Sequence, residues 1–219
     1  MRLKAMAKIN LGLDVLGKRE DGYHEVRMIM QTIRMYDILD IRKTRRPGIV
    51  LTTNLPFIPT DQRNLVYKAA QMLMEEFDVE EGLSIKLRKF IPVAAGMAGG
   101  SSDAAAAFVG VNRMFHLGLT EEQLMERAVK VGADVPYCIM RGTALAEGIG
   151  EKLTRLPEVP KCYVLIGKPG INVSTKTAYE NLNLEGIGKH PDIDQEPYGR
   201  KRCAESRDER KRSYCVWNL

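Results

Sequence analysis

The feature that most constrains the fold is a glycine-rich stretch, residues 92–103, with the sequence PVAAGMAGGSSD. The residues before it, 83–90, alternate between apolar and polar side chains, as a half-buried strand does. An alanine run follows at residues 104–107 and belongs to a helix that we predict over residues 103–115. The stretch therefore predicts a strand, a tight turn and a helix in direct succession.

Two interpretations of this turn are open. A curled backbone that enters a helix directs several N–H groups, and the positive end of the helix dipole, to one point that suits a phosphate group. The glycines that would permit the curl are Gly96, Gly99 and Gly100, and the helix-starting residues are Ser101, Ser102 and Asp103. Alternatively, the small residues only allow the helix to pack closely against a sheet. A glycine-rich motif does not by itself decide between the two.

Residues 3–16 alternate strongly and predict a strand. One face would carry Ile9, Leu11, Leu13 and Val15, and the other Lys8, Asn10, Gly12 and Asp14. A lysine on the polar face of a strand is usually solvated. A glycine on the same face favours the close approach of a ligand, because glycine otherwise weakens a strand.

The pair Asp21-Gly22 after this strand predicts a hairpin turn. Tyr23 and His24 follow the turn and could stack on, and hydrogen-bond, a flat heterocycle. Simple packing at the start of a strand is the alternative. Two or three strands are predicted over residues 25–43 and 48–54.

Two further helices are predicted before residue 132. Residues 64–77 carry apolar side chains near helical spacing, and Thr120 and Gln123 form a capping box. Beyond them, strands are expected over residues 141–150 and 161–167, and a short helix over residues 174–182.

The segment GADVPY, residues 132–137, contains a single acid, Asp134. Pro136 favours an extended backbone at Val135, and such a kink could hold the carboxylate rigidly at the edge of a pocket. An exposed aspartate in a helix-to-strand connection is the alternative.

Composition excludes several classes of protein. No apolar run approaches the length of about 18 residues that spans a bilayer, and the N-terminus lacks a signal-peptide pattern, so a cytoplasmic protein is expected. The four cysteines are widely spaced, which disfavours zinc. Residues 195–219 carry +3 of the net charge of +5, so the basic character gives little support for a nucleic-acid partner, and a membrane partner is not expected.

Three stretches in this order resemble the GHMP small-molecule kinase superfamily: AKINLGLDVLGKREDGYHEV, PVAAGMAGGSSDAA and GADVPY. The first stretch is similar to the sequence of the superfamily members that act in non-mevalonate isoprenoid synthesis. The acceptor alcohol of those members carries cytidine diphosphate. The resemblance covers residues 1–194. It implies a two-lobed α+β fold and phosphoryl transfer from ATP, with Mg²⁺, to a hydroxyl group.

The resemblance also implies roles for single residues. Asp134 corresponds to the catalytic base, and Lys8 to the lysine beside it. The acceptor would contact Asn10, Tyr23 and His24, with Tyr179 as a second stacking aromatic. The ATP phosphate loop would comprise Pro92, Val93, Ala94, Ala95, Gly96, Met97, Ala98, Gly99, Gly100, Ser101 and Ser102. The resemblance leaves the residues that bind the metal unassigned.

The chain departs from the family pattern after residue 194. Residues 1–160 correspond to the N-terminal catalytic and ATP-binding domain, and residues 161–194 to the start of a C-terminal lobe. Residues 195–219 are arginine-rich, and we expect a disordered or loosely docked tail in place of the third glycine-rich motif. The expected alternatives are an inactive fragment that still binds nucleotide and another kinase of the superfamily.

Overall fold

The computed structural model describes residues 1–167 and the backbone of residues 214–218. Its strands are β1 (Arg2–Lys18), β2 (His24–Thr44), β3 (Ile49–Thr53), β4 (Gly82–Arg88), β5 (Thr143–Gly148), β6 (Lys152–Arg155), β7 (Tyr163–Gly167) and β8 (Tyr214–Asn218). Its helices are α1 (Leu65–Glu76), α2 (Gly99–Phe115), α3 (Glu121–Ala128) and α4 (Val135–Met140). The predicted α+β class is confirmed.

The long strand β2 organises the main sheet, whose order is β3-β4-β2-β5-β6 with β1 also paired to β2. One edge of β2 pairs with β1 over most of its length. The other edge pairs with β5 through residues 26–31 and with β4 through residues 38–44. The sequence predicts two or three strands here, whereas β2 is one continuous strand of 21 residues. Because β2 contacts both β4 and β5, it connects the segment before the glycine-rich stretch to the segment after GADVPY.

The core lies between the sheet and helices α1 and α2. Ala104, Ala105, Ala106, Ala107 and Phe108 of α2 are almost completely buried. Small side chains on this helix allow its backbone to lie close to the sheet, as Gly110 shows: a Cβ there would lie 2.4 Å from Cδ1 of Ile41. The predicted packing role of small residues therefore holds within α2.

Local signals predicted several elements. The hairpin turn forms at Gly22, whose φ is 84°, and Arg19 N donates to the carbonyl oxygen of Tyr23 at 2.8 Å. Asn64 caps α1, and Thr120 and Gln123 form the predicted capping box of α3. Strand β6 and helix α4 were not predicted. The helix predicted over residues 174–182 lies outside the described residues.

Strand β8 differs from the expected unstructured tail. Residues 214–218 pair with β7 in parallel. Their sequence, YCVWN, is rich in aromatic and β-branched residues, which favour strands, and β7 offers an edge to pair with.

Candidate active site

The loop between β4 and α2 adopts an unusual backbone conformation. Ala94, Gly96 and Ala98 have φ angles of 54°, 67° and 52°. Successive residues that alternate between right-handed and left-handed conformations turn their N–H groups to one side and form an anion-binding concavity. Ala98 is the N-cap of α2 and makes no side-chain capping hydrogen bond. The N–H groups of the first turn of α2 therefore remain available to a ligand.

The helix begins four residues earlier than predicted, at Gly99 instead of Asp103. Ser101, Ser102 and Asp103 consequently lie inside the helix and do not cap it. Gly99 and Gly100 are also helical, so of the three glycines only Gly96 supplies the left-handed turn. The other two left-handed positions are alanines, which no local preference predicts.

The glycines at the two ends of the turn have different roles. A Cβ on Gly96 would meet nothing within 4 Å, so the loop is open above this residue. A Cβ on Gly99 would lie 3.2 Å from both Cγ2 of Ile91 and Nζ of Lys89. Close packing explains Gly99, and a positive φ beside open space explains Gly96. The two interpretations of the turn thus apply to different residues of it.

A cavity of about 350 Å³ lies over this loop. Residues 92–100 line it together with the start of α1, including Asn64 and Leu65, and with Lys89 and Asp103. Ser102 has a different environment. Its hydroxyl donates to the carbonyl oxygen of Met6 at 2.5 Å and lies 3.3 Å from Sγ of Cys138. Ser102 thus ties α2 to β1 and α4.

Lys8 on β1 is buried, with a relative exposure of 5%. Its Nζ donates to Oδ1 of Asn10 at 3.0 Å, and its backbone N–H donates to the carbonyl oxygen of Met97 at 3.2 Å. The expectation that a lysine on this face is solvated is wrong. The second bond joins β1 directly to the glycine-rich loop and fixes where the ammonium lies relative to that loop.

Irregularities in β1 explain why simple alternation fails. The pairing with β2 shifts between Met6 and Lys8, between Asn10 and Gly12, and between Val15 and Gly17. A bulge adds one residue to a strand and moves the following side chains to the other face. Leu13, predicted on the same face as Ile9, is accordingly 45% exposed, whereas Ile9 is buried.

Asp134 lies immediately before α4 and is its N-cap residue. Its Oδ2 lies 3.9 Å from Nζ of Lys8. The predicted extended backbone at Val135 is wrong, because Pro136 lies in the first turn of α4, where proline is well tolerated. The start of this helix, and not an extended kink, holds the carboxylate beside the buried ammonium.

The residues that follow Asp134 in α4 are buried. Burial raises the pKa of the Cys138 thiol to about 12. Tyr137 is fully buried, and its hydroxyl donates to the carbonyl oxygen of Gly142 at 2.7 Å. A charge interaction in such surroundings is screened less than one on the surface.

The remaining predicted acceptor contacts lie elsewhere. His24 pairs with Lys18 at the hairpin end of β1, whereas Lys8 pairs with Thr32. Tyr23 is 60% exposed at the same hairpin. The structure therefore brings Lys8, Asn10, Asp134 and the loop together, and places Tyr23 and His24 at the other end of the strand. Tyr179 lies outside the described residues.

Known proteins are similar to this chain in sequence and in fold. The family described as "GHMP kinases N terminal domain" matches residues 64–142. A 4-diphosphocytidyl-2-C-methyl-D-erythritol kinase of Lachnospira eligens is 57% identical over 194 residues, which is 89% of this chain and 67% of the relative. The chain belongs to the 4-diphosphocytidyl-2-C-methyl-D-erythritol kinase family of GHMP kinases.

Other family members agree with this assignment. The kinase of the same name from Lachnoclostridium phytofermentans is 54% identical over 99% of this chain and 73% of its own length. A crystal structure of 4-(cytidine 5'-diphospho)-2C-methyl-D-erythritol kinase is 33% identical, with a TM-score of 0.73 over 86% of this chain and 66% of that one. The mevalonate kinase of Methanococcus jannaschii, at 15% identity and a TM-score of 0.56, shares the fold. The chain spans about two thirds of the length of the Lachnospira eligens kinase and 56% of the mevalonate kinase.

Sequence reasoning missed one group of buried charges beneath the loop. Asp37 of β2 and Asp103 of α2 both accept hydrogen bonds from Nζ of Lys89. The available signal was Asp37 itself, an acid within the otherwise apolar alternation of β2. An aspartate in a buried strand needs a partner, but the sequence does not say which cation supplies it.

Proposed function

We propose that this chain transfers the γ-phosphate of ATP to the 2-hydroxyl group of 4-(cytidine 5'-diphospho)-2-C-methyl-D-erythritol, in non-mevalonate isoprenoid precursor synthesis. The observation that carries the proposal is the pairing of the buried Lys8 with Asp134, next to a loop whose N–H groups suit phosphate. The names of the relatives support the acceptor. Because the reaction consumes ATP, we also propose that it takes place in the cytoplasm. Among the described residues, no helix is long and apolar enough to cross a membrane.

In this proposal residues 92–102 hold the nucleotide phosphates. The N–H groups of the loop and of the first turn of α2 bind phosphate oxygens, and the helix dipole favours their charge. Loop and helix are parts of one rigid scaffold, since Ser102 and Met97 are both hydrogen-bonded to β1. Much of the rate enhancement in phosphoryl transfer comes from such positioning.

Asp134 is the proposed general base. Its carboxylate orients the acceptor hydroxyl and takes its proton as the oxygen attacks phosphorus. The Lys8 ammonium stabilises the negative charge that develops on that oxygen. Asn10 accepts a hydrogen bond from Lys8, so it holds the ammonium in place, and its amide group is the proposed acceptor contact at this end of β1.

Magnesium fits this site only as an ion bound mainly by phosphate and water. Among residues 1–167, no group of three or more His, Cys, Asp or Glu side chains could hold a metal ion. Mg²⁺ commonly binds substrate phosphates, waters and one or two carboxylates, and Asp134 is the partly exposed carboxylate at the site. When bound, the ion would neutralise phosphate charge.

Tyr23, His24 and Tyr179 are the proposed contacts of the cytosine ring. The hairpin register puts Tyr23 and His24 far along β1 from Lys8, so a substrate that reaches both ends must be elongated. A diphosphate between the alcohol and the nucleoside lengthens the substrate, but ten residues of straight strand rise about 33 Å, so the proposal also requires β1 to bend. The bulges of β1 bend the strand between the two ends.

The test is coupled ADP release with purified chain, ATP and the cytidine-bearing alcohol. We expect turnover that depends on this acceptor, and none with homoserine or mevalonate. Equal turnover of either alternative would assign the chain to another activity of the superfamily.

A second candidate is a nucleotide-binding fragment without turnover. The observation that favours it is the exposure of the apolar residues Phe90, Tyr163 and Leu165. ATP binding without ADP release, in protein shown by intact mass to be full length, would support it.

Binding of nucleic acid by the basic tail is disfavoured. A complex that persists at low salt and dissociates as the salt concentration is raised would be the evidence for it.

A further inference from the structure

Three buried ionisable side chains lie directly beneath the glycine-rich loop, and we call them the buried triad: Asp37, Lys89 and Asp103. Nζ of Lys89 donates to Oδ2 of Asp37 and, at 2.6 Å, to Oδ2 of Asp103. The side chains are 0%, 5% and 3% exposed, respectively. The proposed chemistry uses none of the three.

The triad joins the three elements that border the loop. Asp37 lies within β2, Lys89 follows the last residue of β4, and Asp103 lies in the second turn of α2. The loop leaves the sheet just after Lys89 and enters the helix at Gly99, one turn before Asp103. One ammonium group is therefore bonded to the sheet and to the helix at the two ends of the same loop.

Asp37 also holds the loop backbone. Its Oδ1 accepts hydrogen bonds from the N–H groups of Phe90, at 2.5 Å, and of Ile91, at 2.8 Å. Asn54 adds a reciprocal pair, accepting from Lys89 N at 2.8 Å and donating to its carbonyl oxygen at 3.1 Å. The first residues of the loop are thus fixed by side chains from β2 and from the residue after β3.

The ammonium group lies against the start of α2. A Cβ on Gly99 would lie 3.2 Å from Nζ of Lys89, so a larger residue there would require the Lys89 side chain to shift by a few tenths of an ångström. Oδ1 of Asp103 is buried and has no hydrogen-bond partner among the described residues. An incompletely satisfied charged cluster is a poor source of stability compared with apolar packing. Its value is geometric, because it admits one arrangement of sheet, loop and helix.

We propose that Asp37, Lys89 and Asp103 are positioning residues that fix both ends of the phosphate-binding loop, and so set the direction of its N–H groups. The role of the loop in binding phosphate rests on the function proposed above, whereas the position of the loop in the fold does not. The triad acts through the loop backbone, although Lys89 and Asp103 also line the cavity over the loop.

The test is hydrogen–deuterium exchange of the full chain, read on the peptide that covers residues 92–102. Asp37→Asn removes the charge that faces Lys89, and Asp103→Ala removes the helix end of the connection. Each change is expected to speed exchange of this peptide about tenfold, while peptides from α3 and β5 keep their rates, because local opening is confined to weakly held segments. Asp40→Asn is the matched control, since Asp40 lies on the same strand and pairs with Arg2 and Arg88 near the surface.

A second measurement links the triad to the ligand. Titration with ATP is expected to give about tenfold weaker binding for both triad variants and unchanged binding for Asp40→Asn, since misdirected donors lose hydrogen bonds to charged groups. Exchange that rises equally throughout the chain, that does not rise at all, or that accompanies unfolding of both variants would refute the positioning role. If the unaltered chain does not bind ATP, the proposed function fails, and the exchange result still decides the role of the triad.

Discussion

The ammonium group of Lys8 lies 3.9 Å from Oδ2 of Asp134, and the two residues come from β1 and from the start of α4. The lysine side chain is buried and the carboxylate is about one third exposed. A buried cation beside a carboxylate that faces solvent leaves the carboxylate reachable by a hydroxyl group. The hydrogen bond from Lys8 N to Met97 O fixes this pair relative to the loop.

Asp134→Asn is expected to abolish most turnover and to preserve nucleotide binding. The amide cannot accept the hydroxyl proton, so kcat should fall about 100- to 10,000-fold, the usual contribution of a general base. Coupled ADP release and titration with ATP measure the two quantities. Asp14→Asn, an exposed position on β1, is the control and should leave both unchanged. Normal turnover by Asp134→Asn would remove this residue from the mechanism.

Local sequence patterns predicted the elements whose signals are themselves local. The alternation of β1, the turn at Asp21-Gly22 and the capping box at Thr120 and Gln123 all depend on neighbouring residues. These elements, together with the motif resemblance, predicted the α+β class and the proximity of Lys8 to the loop.

The features that were not predicted depend on distant contacts. Lys89 meets Asp37, 52 residues away, and Asp103, 14 residues away, and no spacing rule connects them. The bulges of β1 are set by its pairing with β2, so the burial of Lys8 and the exposure of Leu13 could not be read from alternation. The early start of α2 requires alanine in a left-handed conformation, which only surrounding packing can enforce.

Ala98→Gly is expected to stabilise the fold. Its φ of 52° is a left-handed conformation that costs a non-glycine residue about 1–3 kcal/mol, whereas glycine adds a smaller cost by making the unfolded chain more flexible. The free energy of unfolding should rise by about 0.5–1 kcal/mol, the difference between these effects. Urea unfolding measures it. Ala95→Gly, in the same loop without a positive φ, should instead lower stability.

Gly110→Ala is expected to destabilise the packing of α2 on the sheet. The added methyl would lie 2.4 Å from Cδ1 of Ile41 and 2.7 Å from Cδ1 of Leu3. These side-chain ends can shift, but overpacking still costs about 1–3 kcal/mol. Thermal and urea unfolding check the loss. Gly17→Ala has open space and should change stability little; an equal loss at both positions would contradict the packing argument.

Asp103 is expected to make stability depend on pH. Burial raises the pKa of this carboxyl well above its usual 3.8, so the folded state favours the protonated form. The contribution of Asp103 to the free energy of unfolding has its full value below the pKa of the unfolded state. It is lost as the pH rises from about 4 through the pKa of the folded state.

Asp103→Asn should remove that dependence, because the amide stays neutral and its oxygen can still accept from Lys89. Urea unfolding at a series of pH values should show that the free energy of unfolding of the variant increases, relative to that of the unaltered chain, as the pH rises above 4. Asp37→Asn should lower stability, since it removes the carboxylate that faces Lys89. A pH-independent difference between Asp103→Asn and the unaltered chain would mean that folding does not raise the pKa of Asp103.

Cys138 is expected to be unreactive in the folded chain, although it lies near the proposed catalytic pair. Burial raises its thiol pKa to about 12, so almost no thiolate exists at pH 8, and thiolate is the reactive form.

Cys162 is exposed. In a Cys203→Ser, Cys215→Ser background, a thiol-specific reagent should therefore label one cysteine quickly and the second only after denaturant is added. Adding Cys162→Ser should remove the fast phase, because the remaining thiol reacts only when α4 separates from Ser102 and β1. Fast labelling of Cys138 in that variant would show that α4 opens in the folded state, and a mobile α4 could not hold Asp134 beside Lys8.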